Sequence, residues 1–209
     1  MSQNTTATVV ALWGWRFQHQ VIELKNAYEA ARVETDRDLK RQDADWEELE
    51  RKVAAGEASF IEEDDDGQVI YDHGDAAHER AHETEMVLRL IREAFTISLH
   101  HLLEREINKR MKVRRYDESK AYIFLKGLGL QPDEPLLTAL RLTANVAKHS
   151  EGSSAQQLYN HRPDLFDTTE MQKFSHPPGY EYLKITDQTL SDFFDAVRRS
   201  GPQRRKGWA

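Results

Sequence analysis

From residue 87 to 107, apolar side chains recur as Val87, Leu88, Ile91, Phe95, Leu99, Leu102, Leu103 and Ile107. Steps of three and four residues keep one side of an α-helix apolar for about five turns. The stripe predicts a long helix over 76–111 as the spine of the core, with Asp75 as its N-cap. Phe17, Val21, Leu24 and Tyr28 lie on a second helical face, which predicts a first helix starting near Trp15. Its pattern continues over 34–53 with far fewer apolar positions, and Gly56 ends it. Phe60-Ile61 and Val69-Ile70-Tyr71 flank the turn Asp64-Asp65-Asp66-Gly67, the pattern of a β-hairpin. Further helices are expected over 118–126, from Pro135 to His149 with Asp133 as N-cap, over 154–159 and over 187–199, with a strand over 180–185. The expected fold is all-α: a helical bundle with long antiparallel helices, a small β-hairpin insertion and an irregular C-terminal segment. It reads as a single helical domain, 1–209, with the hairpin at 57–74 and a C-terminal extension, 160–209, packing on the bundle.

Composition narrows the function classes. A formal net charge of −7 argues against nucleic-acid binding by the whole surface, yet the basic run 109–115 leaves room for a local site. The absence of cysteine removes disulfides, thiolate catalysis and cysteine-ligated zinc within these residues. The run Val9-Val10-Ala11-Leu12-Trp13 has no basic residues before it and is too short for a signal core or a membrane span, so a cytoplasmic protein without a membrane partner is expected.

The most informative stretch is 140–149. On a helix turning about 100° per residue, Arg141, Asn145, Lys148 and His149 fall within an arc of roughly 100°. Leu137, Leu140, Ala144 and Ala147 lie to one side of it, and Leu142 and Val146 to the other. A helix so widely apolar is a buried one, and its single polar stripe is the best candidate for chemistry. A guanidinium grips a phosphate bidentately at any pH, and an imidazole near neutrality can move a proton at a ribose hydroxyl. The plainer reading is that Lys148 and His149 complement the helix dipole while Arg141 pairs with an acid.

The helical body and these residues resemble the HEPN superfamily of prokaryotic defence and toxin proteins. In that family an arginine, four to six further residues and a histidine form a motif at a dimer interface, commonly with asparagine after the arginine. Asn145-Val146-Ala147-Lys148-His149 matches the asparagine-to-histidine part, whereas Ala144 precedes Asn145 and seven residues separate Arg141 from His149. The resemblance implies metal-independent RNA cleavage, or RNA binding without cleavage, in toxin–antitoxin or antiphage defence. Arg141, Asn145 and His149 would be catalytic and Lys148 would bind substrate. It implies a homodimer, with an antitoxin or defence-system partner and no cofactor. The competing class is a non-catalytic helical interaction module.

Other motifs carry alternative readings. His78-Glu79-Arg80-Ala81-His82 has the HExxH spacing of zinc hydrolases, which makes His78 and His82 weak metal candidates. Arg80 at a middle position and the lack of a downstream third ligand argue for a solvated helical turn instead. Glu62, Asp64, Asp66 and Gly67 loosely follow a calcium loop, but His73 stands where a bidentate glutamate is required. The run 109–115 holds five cations, of which Arg110, Lys112, Arg114 and Arg115 are candidates for RNA-backbone contacts, with Met111 and Val113 expected in the core. Trp13, Trp15 and Phe17 could stack on bases but more simply seal one end of a bundle. His100 and His101, adjacent on the spine helix, are expected to face about 100° apart and not to chelate together.

Overall fold

The computed structural model describes residues 3–149 and 153–203, with side chains from residue 12 onward. The sequence also suggests a break over 151–154 and a basic tail at 204–206; residues 151–152 and 204–206 lie outside the described residues, and Ser153 and Ser154 open a helix instead of a break. Among the described residues are α1 (Gln3–Ala54), β1 (Ile61–Glu63), β2 (Val69–Asp72), α2 (His73–Met111), α3 (Glu118–Gly127), α4 (Glu134–Lys148), α5 (Ser153–His161), α6 (Thr168–Phe174) and α7 (Asp187–Ser200). Two 3-10 turns, Pro163–Leu165 and Tyr180–Tyr182, join the last elements. The fold is an all-α bundle with one two-stranded antiparallel hairpin. No helix among the described residues is long and apolar enough to cross a membrane.

The chain divides into two compact units, one of Met1–Tyr28 with Arg92–Ala209 and one of Glu29–Ile91. In the first unit α1 and α2 run antiparallel. The Tyr28 and Phe95 rings meet edge-on at 5.4 Å, and the Arg110 guanidinium lies 5.1 Å from the centre of the Trp13 ring. Trp13 extends the Phe17, Val21 and Tyr28 face by one turn, which is why α1 starts well before Trp15; all four are buried, whereas Trp15 is exposed. Leu99 and Ile107 of α2, Leu140 of α4, Leu158 of α5 and Phe193 and Phe194 of α7 are fully buried around them.

Hydrogen bonds fasten both ends of α7. Thr186 caps its N-terminus by accepting from the Thr189 N–H. At the other end, Ser200 Oγ accepts the Asp133 N–H at 2.8 Å, and the Gln18 amide donates to Arg198 O at 2.9 Å and Pro202 O at 3.0 Å. Gly201 packs so closely on the buried Phe17 ring that any Cβ would overlap it.

In the second unit, residues 29–54 and 73–91 also run antiparallel, with the Gln42 amide donating to Thr84 Oγ1 at 3.0 Å. Trp46 stacks on Phe60 at the foot of the hairpin. Ile61 faces Asp72 and Glu62 faces Tyr71, and the register then slips between Glu62 and Glu63. Ile61, Val69, Ile70, Met86, Val87 and Leu90 are all exposed, so this unit buries little apolar surface. Surface ion pairs one turn apart, such as Arg37–Glu34 and Lys52–Glu48, line its helices.

Several local expectations need correction. Asp72, not Asp75, caps α2: its Oδ1 accepts from the Gly74 and Asp75 N–H groups, which leaves Asp75 in the first turn. Val87 of the spine stripe is exposed. Val113 is also exposed rather than core, because α2 ends at Met111 and Lys112 turns the chain away with φ 57°. The expected strand over 180–185 is a 3-10 turn followed by one bridge, Leu183 to Phe166. Leu183 and Ile185 are buried on either side of an exposed Lys184, which produced the strand-like alternation, but no second strand lies alongside. Helix α6 had not been expected; Asp167 caps it through the Glu170 N–H, and it is only seven residues long.

Candidate functional site

Helix α4 is held from several sides. Asp133 caps it by accepting from Leu136 N, Pro135 occupies its first turn, and α5 and α7 pack along it. Leu137, Leu140, Leu142, Ala144 and Val146 are buried as the periodicity required, Ala147 is only half-buried, and Thr143 is buried as well. The polar stripe runs along the remaining edge and grades from inside to outside. Arg141 and Asn145 are half-buried, and Lys148 and His149 are exposed. His149 has left the helix: it is the C-cap, with extended backbone (φ −132°, ψ 98°), and its N–H donates to Asn145 O.

The inner end of the stripe is anchored by Glu118, the first residue of α3. Glu118 Oε1 accepts from the Tyr122 hydroxyl at 2.9 Å and from the Thr138 hydroxyl at 3.1 Å. The Arg141 Nε lies 3.1 Å from the same oxygen, but its N–H is not aimed at it, so the contact is an ion pair without an aligned hydrogen bond. Burial and the Glu118 charge push the Tyr122 hydroxyl well above the ordinary tyrosine range. The same two causes raise Tyr116, with Arg141 opposing them.

Across from the stripe, α2 supplies His100, whose part in the site the sequence did not reveal. It is 5% exposed, and neither ring nitrogen has a hydrogen-bond partner among the described residues. Burial depresses its pKa to about 4, helped by the nearby charges of Lys148, His101 and Arg141. The Tyr116 ring meets it edge-on at 6.0 Å. The site is therefore a cluster in which α2 contributes His100, α3 contributes Glu118, the connector contributes Tyr116, and α4 contributes Arg141 and Lys148. In the sequence His100 stands only beside His101 on the spine helix; its nearness to Lys148 and Arg141 of α4 comes from the tertiary fold.

The basic run is split rather than continuous. Arg110 is half-buried against Trp13, with its Nε unbonded among the described residues, so it serves the core. Lys112, Arg114 and Arg115 are exposed beyond the end of α2.

His78 and His82 are both exposed. His78 borders a cleft of about 510 Å³ within the Glu29–Ile91 unit, together with Trp46, Leu49 and His73, whereas His82 does not. Among the described residues, the one group of three residues able to ligate a metal is elsewhere, at His100, His101 and Glu104. The acidic turn folds on itself: Asp64 Oδ1 accepts from the Asp66 and Gln68 N–H groups, and Gly67 supplies the positive φ of 76°. His73 bonds to Glu62 at 3.0 Å across the hairpin.

Comparison with family models, with curated proteins and with solved structures gave no match to this chain.

Proposed function

We propose that this protein is a HEPN-like metal-independent endoribonuclease, or an RNA-binding relative of one, working in toxin–antitoxin or antiphage defence in the cytoplasm. The observation that carries the reading is the graded edge of α4, a buried helix whose cationic end, Lys148 with His149, opens to solvent. Lys148 and Arg141 hold the scissile phosphate. The ion pair to Glu118 engages Arg141 through Nε, which leaves the two-pronged end of the guanidinium outside that contact. His149 takes the proton of the ribose 2′-hydroxyl, the 2′-oxygen attacks phosphorus, and the bond to the 5′-oxygen breaks, giving a 2′,3′-cyclic phosphate. Asn145 orients the imidazole or the phosphate. A second histidine must protonate the leaving 5′-oxygen, and a two-fold homodimer supplies it from the other copy. Lys112, Arg114 and Arg115 add contacts to the RNA backbone, and Arg110 drops out because it packs on Trp13.

The second reading, a non-catalytic helical interaction module, is favoured by one observation: Arg141 is already paired with a carboxylate of its own chain. The two readings separate in a binding experiment with fluorescein-labelled single-stranded RNA, followed by anisotropy over a range of salt concentrations. RNA binding that weakens steeply with salt is expected, with Lys148→Ala and Arg114→Ala each lowering the salt slope by about one unit. Absence of salt-dependent binding by the wild type would remove RNA as the partner and leave the module.

A further inference from the structure

The second face of His100 leads to a site that the nuclease reading does not use. His100, His101 and Glu104 bring one nitrogen or oxygen each to within 4.8 Å of one another. Adjacent residues on a helix start about 100° apart, so these two histidines were expected to diverge. Their rings instead both swing toward Glu104, which lies one turn on from each, with ring centres 5.8 Å apart. Glu104 Oε2 is 3.3 Å from His101 Nδ1 and 4.0 Å from His100 Nδ1. The second gap is too long for a hydrogen bond. It is close to the separation of about 3.3–3.5 Å between two ligands that share one tetrahedral ion at about 2.0–2.1 Å.

We propose that His100, His101 and Glu104 bind one divalent transition-metal ion of the zinc type. Two imidazoles and a carboxylate suit zinc, cobalt or nickel, and magnesium, which prefers all-oxygen octahedral ligation, is excluded. His100 is the fixed ligand, buried with both ring nitrogens unsatisfied, so a metal bond would satisfy one of them where water has no access. His101 and Glu104 are more exposed and can turn in to ligand distance, leaving the fourth position open to water or an anion. Lys148 and Arg141 oppose the ion by charge, and Glu104 offsets part of that repulsion. Their presence also sets the class of the fourth ligand, since an anionic oxygen would answer both the metal and the two cations. This inference does not depend on RNA cleavage, which uses no metal.

The test is titration of chelator-stripped full-length protein with Co²⁺ by visible absorption and with Zn²⁺ by competition against a chromogenic chelator. One ion per chain is expected, with d–d absorption of a low-symmetry, four-coordinate site. The more exposed ligands are the ones to replace, because their side chains lie outside the buried core. His101→Ala and Glu104→Gln should each weaken binding at least tenfold, with unchanged circular dichroism. His78→Ala should leave it unchanged. Lys148→Gln should tighten metal binding several-fold while weakening RNA binding, so the two sites are scored independently. Sub-stoichiometric binding, loss in His78→Ala, or equal affinity in Glu104→Gln would each overturn the proposal.

Discussion

Replacing Phe193 with alanine is expected to lower the free energy of unfolding by about 3–5 kcal/mol. Phe193 is fully buried on α7, in a stripe with Leu190, Phe194 and Val197 spaced to cover one helical face. That face packs on α4, and the helix cannot tilt to fill a void because both its ends are fixed. Thr186 caps one, and Ser200, Gln18 and the close Gly201–Phe17 contact hold the other. A cavity there would stay largely open, the condition under which truncation is most costly. Urea unfolding followed by circular dichroism measures it, with Phe174→Ala as the control. Phe174 is exposed and should change stability by no more than about 0.5 kcal/mol. A Phe193→Ala loss as small as the control's would mean that α7 lies on the bundle rather than in its core.

The second large effect is a dependence of stability on pH, read in metal-free protein. Burial, then Lys148, His101 and Arg141, hold the folded-state pKa of His100 at about 4, against 6.5 for an ordinary histidine. The groups facing it are Lys148 and Arg141 from α4, His101 and Glu104 from its own helix, and Tyr116 from the connector. The unfolded chain takes up a proton as pH falls through 6.5, and the folded chain does not until about 4. Acid therefore favours unfolding across that window, by about 3 kcal/mol in total for this group, and above pH 6.5 the effect vanishes. His100→Leu should remove this slope. It should also match or exceed wild-type stability at pH 7, because it takes away a buried ring with two unsatisfied nitrogens. Chemical denaturation at pH 7, 6, 5 and 4.5 for both proteins provides the comparison. Parallel curves would show that His100 is hydrated and titrates normally.

The bundle was legible where one side chain repeated on one face. The stripes through Leu99 to Ile107 and through Phe17 to Tyr28 set both antiparallel helices, and Asp133 with Pro135 set the start of α4. The hairpin was legible from its acidic, glycine-containing turn. Reading failed where a pattern was local but its partner was not. Leu183 and Ile185 alternate as in a strand, and only the fold shows that a single bridge to Phe166 is available. The spine stripe continues to Val87, yet in the Glu29–Ile91 unit that residue stays exposed. At the site, helical spacing placed Arg141, Asn145 and Lys148 correctly on one edge. It could not supply Glu118 or His100, which come from other helices and meet α4 only through tertiary packing. At His100 and His101, rotation about the side-chain bonds brings both rings near Glu104 despite the angle between their Cβ atoms, a nearness that adjacent-residue geometry alone does not give.

The most direct test of the functional account is cleavage of a mixed total-RNA substrate by the purified protein in excess EDTA, with wild type beside His149→Ala. The account predicts that wild type cuts without metal, that His149→Ala does not, and that the new 3′ ends carry 2′,3′-cyclic phosphate. Cleavage that EDTA abolishes, or that persists in His149→Ala, would contradict it.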